Sequence, residues 1–335
     1  MNNKIKRVLT FLAVASLSLT SCSDKQPTES IETTTAVTTT VTEISETSET
    51  TEITEEKVEE IPYMEQFKDI IVELPPEGYE EKLEEITYPG FEKYTYYSST
   101  AERDTNVNVL LPPNYSEDKE YPVLYILHGF YDNEGWMIRP AVNLSVIYNN
   151  LLKNGEAEEM IIVAPYIFCD KEMPYCTGMD LKNCYAYDNF INDLTTDLMP
   201  FIESKFSVAK GRENTAITGF SMGGRESLFI GFKRPDLFGY IGSVCAAPGL
   251  VEIPGSAMHP GQMTEEEMSF SENEPNLIFV SLSKADGVVG TNPATYCRIM
   301  EDNGVEYLSH IMKTTGHDHS SVKPHLYNFL KMLFK

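Results

Sequence analysis

From Leu83 to the C-terminus, apolar runs of four to six residues alternate with longer amphipathic stretches, and this alternation narrows the fold more than any other feature. The runs Val107–Leu111, Val123–Leu127, Met160–Ala164, Thr215–Thr218, Ile241–Cys245, Leu277–Leu282 and Tyr307–Ile311 read as strands. The stretches between them, near 141–153, 189–205, 222–233, 293–303 and 322–334, read as helices. A strand that is apolar at every position is buried on both faces, and a helix between successive strands supplies the crossover that parallel pairing needs. The expected class is α/β, with a mostly parallel central sheet and helices on both faces.

The first sixty residues follow a different logic. Lys4, Lys6 and Arg7 precede an apolar run from Val8 to Leu19, which is short for a spanning helix. Leu19-Thr20-Ser21-Cys22 then resembles a bacterial lipobox. Residues 1–21 are therefore expected to be a lipoprotein signal peptide, and Cys22 the lipid-modified mature N-terminus. Residues 22–60 are dominated by Thr, Glu and Ser. They carry too little apolar surface to offset the entropy of ordering and read as a disordered tether. Residues 61–82 form a lead-in, and 83–335 the working domain. The expected location is the extracellular face of a bacterial membrane, held there only by the N-terminal lipid, or secreted. The formal net charge of −25 repels phosphate backbones, so nucleic acid is not an expected partner.

The chemistry centres on Gly219-Phe220-Ser221-Met222-Gly223, which follows an apolar strand and opens a helix. A nucleophile on so sharp a turn needs small residues two before and two after it, and Gly219 and Gly223 meet that need. The turn also sets the Ser221 hydroxyl at a helix N-terminus, where backbone N–H groups favour developing negative charge. A serine needs a base, and in a strand-turn-helix site of this kind the order along the chain is serine, acid, histidine. His317 lies directly after the last expected strand and is the expected base, with His319 as its competitor. Asp286 is the carboxylate in the loop after strand 277–282 and is the expected orienting acid. The oxyanion needs two backbone donors. Met222 follows the nucleophile and supplies one; the other belongs to the loop His128-Gly129-Phe130, from Phe130 or from Tyr131. His128 reads as a structural residue holding that loop. Tyr131 and Trp136, with Phe130, are candidates to line an acyl pocket, although core packing explains them as well.

Taken together, Leu127-His128-Gly129, Gly219 to Gly224, Arg234-Pro235-Asp236-Leu237-Phe238 and Gly316-His317-Asp318, followed by Lys323-Pro324 and Leu326 to Leu330, resemble the esterase D superfamily of α/β-hydrolases. Residues 151–165 and 189–206 share the likeness. More narrowly, the chain is similar to the feruloyl and acetyl-xylan esterases of carbohydrate esterase family one. That resemblance implies a serine esterase acting on feruloyl or acetyl esters of plant xylan, or on a small ester, with no cofactor. A siderophore-ester hydrolase and a catalytically idle glycan-binding or adhesion module are the rival readings. The stretch Phe168–Asn183 departs from the family pattern. Cys169, Cys176 and Cys184 lie in or beside it at spacings of seven and eight residues. These are not zinc-type pairs, so no metal is expected, while one disulfide among the three is open.

Overall fold

The computed structural model describes residues 61–252 and 259–335. The signal segment, Cys22 and the Thr/Glu-rich stretch fall outside the described residues. Eight strands form one sheet: β1 (Glu92–Ser98), β2 (Arg103–Leu110), β3 (Val123–Leu127), β4 (Ile161–Pro165), β5 (Thr215–Gly219), β6 (Tyr240–Val244), β7 (Leu277–Ser283) and β8 (Leu308–Met312). Their spatial order is β1-β2-β4-β3-β5-β6-β7-β8. The first two joins, β1 to β2 and β2 to β4, are antiparallel, and every other pairing is parallel. The mostly parallel α/β sheet is therefore present.

Strands β3, β4, β5 and β6 are buried at every position. Alternate residues point to opposite faces, and so build two cores. Val123, Tyr125 and Leu127 join the core beneath α2 (Leu181–Asp188), α5 (Met222–Lys233) and α6 (Asn292–Asp302). Leu124 and Ile126 join the core beneath α1 (Leu144–Lys153) and α7 (His319–Met332).

Two expectations needed correction. Strand β1 was absent from the apolar pattern because its sequence, EKYTYYS, is largely exposed at the sheet edge. Residues 103–106 of β2 pair only with β1, so they too need no continuous apolar run. The single helix expected at 189–205 is α3 (Phe190–Asp193), a π-type turn at Leu194–Leu198 and α4 (Met199–Lys205), preceded by the unanticipated α2.

The 61–82 segment packs on the α1/α7 core through Met64 and Phe67. Asn328 clamps it by donating to the Val72 carbonyl at 2.9 Å and accepting from the Val72 amide at 3.0 Å.

A buried polar chain crosses from this segment into the sheet. Its members are the Glu73 carbonyl, His310, Ser281, His325 and Thr218, linked at 2.9, 2.9, 2.8 and 2.7 Å. Because the Glu73 carbonyl only accepts, His310 Nε2 must carry a proton. With both rings neutral, every remaining proton along the chain is then assigned: Ser281 donates to His310, His325 Nδ1 to Ser281, and Thr218 to His325 Nε2. Burial holds His325 far below its ordinary value and lowers His310 as well. The unfolded chain takes up these protons near pH ~6.5 and the folded chain does not, so stability should fall as pH drops through that value. In thermal melts from pH 7 to 4.5, His325→Gln should be less stable at neutral pH yet show a shallower acid decline than the wild type. Parallel acid declines would mean that His325 does not contribute to it.

Between β5 and α5 the backbone is crowded. A Cβ on Gly219 would lie 2.3 Å from the Gly223 carbonyl oxygen. A Cβ on Gly223 would meet the Leu127 and His128 carbonyl oxygens at 2.4 and 2.6 Å. Gly223→Ala should cost about 3 kcal/mol or more, because rigid backbone must move. Gly90→Ala, with nothing within 4 Å of the new atom, should stay within about 0.5 kcal/mol. Equal denaturation midpoints for the two variants would contradict this account of the turn.

Candidate active site

Ser221 caps the N-terminus of α5, two residues past the end of β5, with φ 57° and ψ −112°, a left-side conformation that a non-glycine residue adopts only when its surroundings impose it. Its amide donates to the Val244 carbonyl at 3.0 Å, and its own carbonyl accepts from Ala247 at 2.9 Å and Arg225 at 3.0 Å. The strained turn is thus tied to the end of β6 and to the first turn of α5.

His317 comes from the loop between β8 and α7, and Asp286 from the loop after β7. The His317 Nε2 atom lies 2.8 Å from Ser221 Oγ, and Nδ1 lies 2.7 Å from Asp286 Oδ2. The other Asp286 oxygen accepts from the amides of Val288 (2.8 Å) and Val289 (3.2 Å). Burial acts to raise the Asp286 carboxyl, but the His317 hydrogen bond and these two amides hold it below its ordinary value. It is therefore an anion suited to accept the Nδ1 proton, which leaves Nε2 free to accept from the serine. His319 is exposed at the start of α7 and makes no such contact. The three residues expected to act together do converge.

Cys245, Asp286 and His317 also bring ligand-type atoms within 4.8 Å of one another. Burial, and then the Asp286 charge, push the Cys245 thiol up to about 12, so this group is a neutral proton-bearing neighbour of the carboxylate. Cys169, Cys176 and Cys184 are all unbridged, so the disulfide left open among them is not formed.

In the loop after β3 the two candidate oxyanion donors differ. The Tyr131 amide is occupied by the Tyr187 hydroxyl at 3.1 Å. Among the described residues, the amides of Phe130 and Met222 have no partner, and both residues line the cleft over Ser221. His128 holds the loop from beneath, with Nδ1–H donating to the Gly129 carbonyl at 2.8 Å and Nε2 accepting from the Ile167 amide at 3.1 Å. Burial lowers it to about 4, so it stays neutral and keeps both bonds.

The cleft measures about 400 Å³. Phe130, Tyr131 and Trp136 line it, as do Met179, Cys184, Ala247, Pro248 and His259, none of which the sequence marked as a lining residue. Trp136 also stacks flat on Phe220 at 4.8 Å, so its packing role and its place in the wall coexist. Met179 belongs to the divergent stretch 168–183, and Cys184 follows directly after it.

His259 is fixed by Asp188 at 2.8 Å, and Asp188 is shared with the fully buried Arg225 and with Gln262 at 3.1 Å. Glu226 accepts from Arg225 and from Gln262, and burial pushes its carboxyl up against the pull of Arg225. No periodicity or motif in the sequence announces this group, because its members come from three separate segments. Among the described residues, no helix is long and apolar enough to cross a membrane.

The family described as "Putative esterase" matches residues 98–281, more than half of the chain. A CE1 ferulic acid esterase from Anaeromyces mucronatus, solved with ferulic acid, is 38% identical. The match covers 79% of this chain and 97% of that one, with a TM-score of 0.74. Two curated relatives are each 30% identical. One is an endo-1,4-beta-xylanase/feruloyl esterase of Xylanibacter ruminicola, matched over 47% of this chain and 22% of its own length. The other is endo-1,4-beta-xylanase Y of Acetivibrio thermocellus, matched over 44% of this chain and 13% of its own length. The chain therefore spans only a minor part of these two relatives. On this fold and these matches, the chain belongs to the esterase family of α/β-hydrolases, in the group that holds the family-one carbohydrate esterases.

Proposed function

We propose that the chain is a serine esterase that removes hydroxycinnamoyl groups, such as ferulate, from plant xylan through an acyl-enzyme. The observation that carries this reading is the Asp286–His317–Ser221 relay at 2.7 and 2.8 Å, opening into an apolar-walled cleft. Ser221 Oγ attacks the ester carbonyl while His317 Nε2 takes its proton, and Asp286 stabilises the imidazolium. The Phe130 and Met222 amides receive the oxyanion. His317 then returns the proton to the departing alcohol, and a water repeats the sequence on the acyl-enzyme.

The wall of Phe130, Met179, Met222, Ala247 and Pro248 favours an aromatic acyl group over acetyl, whose two carbons would leave most of it uncovered. A relay with both hydrogen bonds in place argues against the idle glycan-binding or adhesion module, while the siderophore-ester reading remains a rival for the substrate. The names of the relatives, a ferulic acid esterase and a xylanase/feruloyl esterase, support the xylan ester.

Ser221→Ala and His317→Ala should each lower kcat for methyl ferulate by at least about a thousandfold, since nucleophile and base act as a unit. Asp286→Asn should cost orders of magnitude by favouring the wrong tautomer, and His319→Ala should retain most activity. Equal losses in the two histidine variants would remove the assignment of the base. In a side-by-side assay of methyl ferulate, acetylated xylan and a catecholate trilactone, the first should be the best substrate. Preference for either of the others would replace this reading.

We also propose attachment to the extracellular face of a bacterial membrane through a lipid on Cys22, supported by the basic residues, apolar run and Leu19-Thr20-Ser21-Cys22 that precede the domain. Cys22→Ala should move the protein from the membrane fraction to the soluble or uncleaved pool. An unchanged distribution of fully processed protein would contradict it.

A further inference from the structure

The cleft is also lined by Asp132, a carboxylate that the relay does not use. Asp132 lies two residues past Phe130, on a turn closed by its amide donating to the Gly129 carbonyl at 3.3 Å. Its side chain is only 22% exposed, yet among the described residues no donor reaches its carboxylate within hydrogen-bond distance; Arg139 stands 3.9 Å away and is itself half exposed. A carboxylate this poorly hydrated and without a donor is an acceptor in want of partners. It lines the same cleft as Ser221.

Its position says which part of the ligand it would meet. The Oδ2 atom and the Phe220 ring both lie against Gly129, 3.1 and 3.2 Å from where a Cβ would stand. Phe220 in turn lies 4.6 Å, ring to ring, from His317. Asp132 thus sits beside the ring on which His317 packs, near enough to feel the His317 charge. The leaving alcohol must lie there, because it is His317 that hands it a proton. The acyl group is left with the apolar wall, where a carboxylate would have nothing to accept from. In a sugar ester the leaving alcohol carries further hydroxyls close to the esterified oxygen, and these are donors of the kind Asp132 lacks.

We propose that Asp132 is a specificity-determining residue that accepts hydrogen bonds from the hydroxyls of the sugar bearing the ester. This rests on the reading of the site as a hydroxycinnamoyl esterase. Burial pushes the Asp132 carboxyl up to about 6 against the opposing charges of Arg139 and His317. The acceptor is therefore mostly charged at neutral pH and weakened in mild acid.

The test compares feruloylated arabinose with methyl ferulate, which has the same acyl group and no sugar. In Asp132→Asn and Asp132→Ala, the ratio of kcat/KM for the sugar ester to that for the methyl ester should fall about tenfold or more. The loss should be carried by KM, because a bystander hydroxyl is held equally in ground and transition states. The wild-type ratio, in which His317 cancels, should also fall between pH 7 and 5, and this measurement needs no variant to fold. Variant ratios within about threefold of wild type, a loss carried by kcat alone, or a wild-type ratio flat with pH would overturn the proposal. Absence of turnover on both esters by the wild type would instead overturn the esterase reading on which it rests.

Discussion

The site depends on a close approach of backbones. The first turn of α5 lies against the last residues of β3 and β5 so tightly that Gly223 has no room for a single carbon between it and the carbonyls of Leu127 and His128. That contact fixes three things at once: the strained conformation of Ser221, the direction in which the Met222 amide points, and the height of the oxyanion loop above the sheet. The parallel pairing of β3 with β5, in register from Val123↔Thr215 to Leu127↔Gly219, carries the geometry into the core. Loops after β7 and β8 then need only deliver one side chain each.

Much of this was legible because the central strands are buried on both faces and so show as unbroken apolar runs. Strand β3 and helix α5 fall where the pattern put them, and β4 to β8 begin within a residue of their expected starts. Ser221, Asp286 and His317 could be named because each follows the C-terminal end of an expected parallel strand, where position along the chain reports position in space. What escaped obeys other rules. Edge strand β1 needs only one buried face. His259 and Cys184 reach the cleft from segments whose sequence contains no periodicity to read.

The buried polar groups divide into two kinds with different energetics. The chain from Thr218 to Glu73 is neutral and proton-ordered, so each donor has one acceptor, and protonation of either ring would turn a hydroxyl from donor to acceptor and leave its own proton without a partner in the chain. The group around Arg225 is ionic instead, with Asp188 and Glu226 sharing the charge of one guanidinium. Desolvation takes back much of what such pairs gain. Its clearer result is geometric, since it fixes His259 in the wall of the cleft.

The divergent stretch 168–183 is held at both ends by residues that also hold the oxyanion loop. Just before it, the Ile167 amide donates to His128; just after it, the Tyr187 hydroxyl takes the Tyr131 amide. The wall of the cleft and the loop after β3 therefore share the same fasteners. A graft of this stretch from a relative would carry its own spacing between the two anchor points. Unless that spacing matched, the new acyl wall would shift the Phe130 donor with it. Swapping selectivity in this scaffold is thus a problem of conserving an end-to-end span rather than of choosing lining side chains.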